Sequence, residues 1–203
     1  MTRVFVTIIL FAFCISNSLL AQQDEWKLKK NKNSVKVWTR AVTGYSLKQY
    51  RAACLINANV DSVYNFIIDF DKRTSWYSDN TICKVLHKSG NSEFIVYYVY
   101  AAPWPVDNRD IISKAMCNKE PDGSYLIQHS AIANYIPREK DYVRIEKATG
   151  LWKIRQADEN TTEVFMEGKS NAGGDVPEWL ANMFVEDNPF KSLTNLKEHF
   201  EVQ

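Results

Sequence analysis

The chain has 203 residues, 45% of them apolar and 24% charged, which suits one globular domain and excludes both a disordered and a wholly membrane-embedded polypeptide. With 25 basic residues against 24 acidic ones it has no basic footprint for nucleic acid and no net field for docking on anionic lipid. Aromatic residues make up 13%, and that much flat apolar surface must line a core or a ligand cavity.

Residues 1–21 stand apart. Arg3 gives a positive start, and Val4 to Ile15 is an almost unbroken apolar run. Polar Ser16-Asn17-Ser18 and then Leu19-Leu20-Ala21 follow. The pattern predicts a secretory signal peptide cut after Ala21, and so a secreted or periplasmic protein. The run is shorter than the roughly 18 apolar residues of a membrane span. Phe13 before Cys14 is too large for a lipid-attachment signal. A single domain over residues 22–203 remains, with no repeat and no Pro/Gly-rich linker. Its three cysteines, Cys54, Cys83 and Cys117, lack CxxC spacing and read as small buried hydrophobes rather than metal ligands.

After Trp26-Lys-Leu a polar turn is expected over 29–34. Val35 to Arg40 then alternates as a half-buried strand should. Ser46 to Ile56 is a second strand candidate, with Leu47, Gln49, Arg51, Ala53 and Leu55 on one face. Asn59 is placed to cap a helix in which Val60, Val63, Tyr64 and Ile67 share a face. A polar passage over 72–80 contains Trp76. Strand candidates follow at 82–87, 93–102, 109–117, 124–133, 142–148, 151–156 and 163–170, with Gly90, Gly123 and Gly150 as punctuation. Asp175 and Glu178 have capping-box spacing. Beyond them Trp179, Leu180, Met183 and Phe184, then Phe190, Leu193, Leu196 and Phe200, keep helical periodicity. Pro189 should kink this last helix. The sum is an α+β chain. About nine antiparallel strands bury one face under a long C-terminal amphipathic helix.

Several of these segments, in this order and spacing, resemble the steroidogenic acute regulatory protein-related lipid-transfer (START) domain, bacterial members above all. They are Trp26 with Val35-Lys-Val-Trp-Thr-Arg40, Val60 to Asp69 with Trp76, Pro103-Trp-Pro-Val-Asp-Asn-Arg-Asp110, Tyr142-Val-Arg144 with Gly150-Leu-Trp152, and Gly174-Asp-Val-Pro-Glu-Trp179. The resemblance implies a helix-grip fold, a curved sheet wrapped around the C-terminal helix. It also implies a cavity closed by that helix and the Pro-Trp-Pro loop, a lipid or other hydrophobic ligand, transient membrane contact, and no catalysis or cofactor. Counting back without gaps from Arg109-Asp110, Val96 stands where some sterol-binding relatives carry a buried acid.

Candidate ligand contacts follow from both readings. Phe94, Val96, Tyr98 and Tyr100 share one strand face. Trp104 sits on a proline-stiffened loop, where it meets a membrane, covers the ligand or anchors the loop. Arg109 meets a head group or ties that loop to the sheet. Trp76, His129, Tyr135 and Arg144 are further candidates. On the last helix Trp179, Leu180, Met183 and Phe184 complete the set, Met183 as a deformable lid residue. The sequence has no GxSxG, Walker loop, GxGxxG or HExxH, and its histidines lack metal-ligand spacing. The alternatives are a cyclase- or aromatase-like enzyme using Arg109, His129 and Tyr98, and an interaction module with a filled cavity.

Overall fold

The computed structural model describes residues 25–174 and 176–201. The expected signal peptide over 1–21 lies outside them, and so does Asp175, the expected cap of the last helix.

β1 (Lys27–Lys32) and β2 (Val35–Arg40) form a hairpin. Asn33 and Ser34 both take positive φ, the two-residue turn whose twist suits a hairpin. The expected polar turn over 29–34 thus shrinks to two residues. Apart from Leu28, Lys27 to Lys32 are polar because they form an edge strand, where charge protects the open backbone.

β3 (Gln49–Ile56) follows. Its face holding Arg51 and Leu55 is the outer one. Ala52, Cys54 and Ile56 of the opposite face are buried, and the small Ala52 and Cys54 leave room for a helix above. α1 (Val60–Ile68) starts where Asn59 accepts a 2.8 Å hydrogen bond from the Ser62 N–H, and it buries Val63, Tyr64 and Ile67. The polar passage after it contains a 3-10 turn and a short helix, α2 (Arg73–Trp76), with Trp76 buried.

The remaining strands are β4 (Asn80–Ser89), β5 (Glu93–Tyr100), β6 (Arg109–Lys119), β7 (Tyr125–Ala131), β8 (Val143–Arg144), β9 (Ala148–Gln156) and β10 (Thr162–Ser170). Their spatial order is β1-β2-β3-β10-β9-β7-β6-β5-β4, antiparallel throughout, with β8 a parallel fragment beside β6. Register shifts in β1 and β4 mark bulges, which add twist toward the two edges. Gly150 does not end a strand. It lies inside β9 opposite Gly168 of β10, and a Cβ there would stand 3.1 Å from the Glu167 carbonyl oxygen. A Cβ on Gly168 would stand 2.7 Å from the Tyr50 ring. The missing side chain at Gly168 leaves that ring its place over the sheet.

The C-terminal helix spans α3 (Glu178–Asn182), one π-helical segment (Met183–Asp187) and α4 (Asn188–Glu201). The disturbance predicted at Pro189 falls one turn earlier. Proline has no N–H and crowds the preceding turn, and the Asn188 N–H instead reaches five residues back to the Met183 carbonyl. α4 lies across β2 and β3, with Leu193 and Leu196 fully buried. Each contributes about 1.5–3 kcal/mol through burial. Polar ties fix it to the α2 region. Asn195 donates to the Trp76 carbonyl (2.8 Å), Asn188 to the Ser78 carbonyl (2.6 Å), and the Ser192 hydroxyl accepts from the Ser78 N–H (3.0 Å). Phe66 of α1 stacks on His199 at 3.9 Å. The main core fills the concave side. A smaller cluster, Ile95, Tyr97, Val99 and Ile112, lies on the outer face under Ile132, Ile136 and Tyr142.

Candidate functional site

Where the C-terminal helix leaves the sheet, the concave face keeps a cavity of about 170 Å³. β5 contributes Tyr98 and Tyr100, β6 Ile111 and Ser113, β7 His129 and Ala131, and β9 Trp152. Tyr50 and the Gly150–Gly168 pair form one wall, and Arg73 and Tyr77 another. Phe184 of the π segment and Asn188 reach over from the helix.

Of the residues expected from sequence, Tyr98, Tyr100, Arg109, His129 and Phe184 are therefore on the wall. Trp76, Phe94 and Val96 belong to the packed core beside it. Leu180 is fully buried in the C-terminal helix and Met183 half-buried, neither on the wall. Trp104 (91% exposed), Trp179 (51%) and Tyr135 (47%) face outward. Arg144 is spent elsewhere: it is bound to Asp110 under the outer loop. The sequence reading passed over Arg73, Tyr50, Tyr77, Ser113 and Trp152. Arg73 carried one signal, standing three residues after Phe70 and three before Trp76, on the face that the helical period buries.

Arg109 is 3% exposed and ties two segments together. Its guanidinium donates to the Asp107 carbonyl and, at 3.4 Å, to the Ala172 carbonyl. Burial lowers its pKa, and the Asp107 charge opposes that shift. Arg73, 4% exposed, stands over the Tyr77 ring at 3.9 Å and the Tyr98 ring at 5.0 Å. Burial, chiefly, pushes the Tyr98 and Tyr50 hydroxyls well above their usual range, so both remain neutral.

His129 faces the cavity with Nδ1 3.5 Å from the Ser113 hydroxyl. Burial first, and the Arg73 charge second, pull its pKa from 6.5 to about 3. In that interval the unfolded chain binds the proton and the folded one does not. Stability is therefore lost as pH falls from 6.5 toward 3. His129→Gln should flatten the urea midpoint between pH 6 and pH 4 relative to the wild type. An unchanged slope would show that the imidazole is not held neutral.

The frame that encloses this cavity, a long antiparallel sheet closed by a C-terminal helix, has direct relatives. The START domain family model matches residues 15–202. The chain belongs to the START domain family. An uncharacterised protein of Pseudomonas aeruginosa is 32% identical over 189 residues, covering 93% of this chain and 92% of that one. The phosphatidylcholine transfer protein of Rattus norvegicus is 21% identical over 164 residues, covering 78% and 75%. Among solved structures, a STAR-related lipid transfer protein from Xanthomonas axonopodis is 31% identical with a TM-score of 0.79, covering 88% of this chain and 99% of that one. Human StAR-related lipid transfer protein 5, 15% identical with a TM-score of 0.77, shares the fold. The helix-grip architecture is thus that of START domains, and proteins named for lipid transfer are among its relatives.

Proposed function

We propose that this START domain protein binds a lipid or other hydrophobic molecule in the cavity, without catalysis, and passes it between membranes. The observation that carries this is the aromatic-walled space left between the sheet and the C-terminal helix, with Phe184 and Asn188 drawn over it. At about 170 Å³ it is smaller than ordinary ligand pockets of roughly 300–1,000 Å³, so filling it requires the lid to move. The π segment, which interrupts the regular helix next to the cavity, is where such movement costs least. Transient membrane contact through Trp104 is part of the reading, supported by its exposure between Pro103 and Pro105.

The enzymatic alternative finds little support in the candidate groups. Arg109 spends donors on backbone carbonyls. His129 is too weak a base to hold a proton near neutrality, and Tyr98 is too weak an acid to release one. Export through a leader ending at Ala21 is part of the proposal.

Full-length protein expressed in a Gram-negative host and purified without detergent should carry extractable lipid at up to one molecule per chain, and an intact mass lacking residues 1–21. It should also move a fluorescent lipid between vesicles. Lipid-free protein from several hosts, with no melting shift across a panel of lipids, would refute the carrier reading.

A further inference from the structure

We propose that the cavity opens through a flap, residues 176–187, which swings while α4 stays in place, and that two ion pairs to the edge strand β1 latch this flap shut. The proposal rests on the carrier reading above and adds which part of the chain moves and what holds it.

The C-terminal helix belongs to two packing units. α4 belongs to the main core. Leu193 and Leu196 are fully buried there, Phe190 and Phe200 pack against it, and Asn188, Ser192 and Asn195 tie it to Ser78 and Trp76. The front half, α3 and the π segment, packs on a separate and much smaller cluster. Val185 meets Leu47 and Ala172 there, flanked by Val176, Ala181 and Phe184. Local opening starts where the fewest apolar contacts are buried, so the front half leaves before α4 does. Both of its ends are built to bend. Gly173 and Gly174 precede it with φ of 71° and 66°. A Cβ on Gly173 would stand 2.7 Å from Val143 Cγ1, whereas one on Gly174 would meet no atom of the described residues within 4 Å. A fixed point is thus followed by a free one. At the other end Pro189 lacks the N–H of a regular ladder, and the π segment already breaks the helical period.

The latch lies at the end of the π segment. Lys29 Nζ is 3.4 Å from Glu186 Oε1, and Lys30 Nζ is 2.6 Å from Asp187 Oδ1. Neighbours in a regular strand point to opposite faces, so two adjacent lysines could not both meet adjacent acids on one helix. The register shift between Leu28 and Lys30 removes that obstacle: Lys29 is the extra residue of a bulge, which re-aims its side chain. Lys30 also stands over the Phe190 ring at 5.4 Å, so the basic half of the latch leans on α4, the part that stays. The four side chains are 19–42% exposed. Water and salt reach both pairs, so each is weak and screened. Such a latch keeps the flap shut at rest without making its opening rare.

The test follows amide hydrogen exchange by mass spectrometry in full-length protein. In the wild type, peptides from 176–187 should exchange faster than those from 189–201. Glu186→Gln with Asp187→Asn should speed exchange in 176–187 by about threefold to tenfold, the reach of two exposed pairs, and leave 189–201 unchanged. Sodium chloride at about 0.5 M should do the same to the wild type and little to the variant. Swapped charges, Lys29→Glu and Lys30→Glu with Glu186→Lys and Asp187→Lys, should return exchange toward the wild-type rate. Uptake of a nitrobenzoxadiazole-labelled fatty acid, read by stopped-flow fluorescence, should accelerate by the same factor in the neutralised variant. Equal exchange over 176–187 and 189–201, rising together in that variant, would show that the helix opens as one body and overturn the flap. Exchange in 176–187 that ignores both charge removal and salt would overturn the latch. Faster exchange with unchanged uptake would overturn its role as the gate. Uptake by no form of the protein, with exchange responding as expected, would leave flap and latch standing and count against the carrier reading alone.

Discussion

Asp110→Asn should cost about 3–5 kcal/mol of folding stability, the usual penalty for stranding one member of a buried ion pair. The Asp110 and Arg144 side chains are each 1% exposed. Two parallel bonds join them, Arg144 Nε to Oδ1 and Nη2 to Oδ2, both 2.8 Å. Arg144 also donates to the carbonyls of Ala133 (2.6 Å), Pro137 (3.2 Å) and Ile136 (3.4 Å), so one guanidinium holds the whole 132–137 loop against the outer face. Asparagine keeps the shape and removes the charge. The guanidinium then has no counter-ion and no access to water. For a domain of this size about 2–4 °C is lost per kcal/mol, so the melting temperature should fall by roughly 10 °C. Urea denaturation followed by circular dichroism measures it. Arg144→Met should be nearly as damaging. The double variant Asp110→Leu with Arg144→Met should recover much of the loss, because a buried pair replaced by apolar groups loses little. A loss below about 1 kcal/mol in Asp110→Asn would mean that water reaches the pair.

The same pair shows what a sequence conveys and what it withholds. The family segments around Arg109-Asp110 and Arg144 are visible, but their partnership spans 34 residues and depends on a parallel contact between β8 and β6 that no local pattern encodes. Local physics was legible. Asn59 capped the helix it was expected to cap, the 63/64/67 stripe was buried, and Pro189 disturbed the last helix. Alternation failed as a guide in Gln49–Ile56. There both faces carry apolar residues, one for the helix-covered core and one, with Leu55, for the exposed surface. Gly150 read as a turn because glycine lacks a side chain. The fold uses that lack for close strand packing against the Glu167 carbonyl and the His129 side chain. Arg73 stood unremarked in the polar passage over 72–80. Burial over two tyrosine rings is a tertiary fact, and only its helical spacing from Phe70 and Trp76 hinted at it.

Ala131→Trp should abolish ligand uptake while leaving the fold intact. Ala131 stands opposite Ser113 at the end of β7, on the same face as Ile127 and His129 and on the cavity wall. An indole placed there enters a space of about 170 Å³ that is otherwise open, so it competes with the ligand rather than with packed core. Overpacking a filled core costs about 1–3 kcal/mol, and here the cost should lie at or below the low end of that range. The wild type at a ligand concentration of about 100 times Kd gains about 2.7 kcal/mol of apparent stability. That gain, read as a melting shift, should vanish in Ala131→Trp, together with co-purified lipid and vesicle-to-vesicle transfer. Trp104→Ser gives the contrast. This side chain lies outside the cavity and is 91% exposed, so its loss should spare the melting shift and slow transfer alone. Binding at wild-type stoichiometry in a folded Ala131→Trp protein would show that the ligand sits elsewhere. Loss of the melting shift in Trp104→Ser would show that the Pro-Trp-Pro loop holds the ligand rather than the membrane.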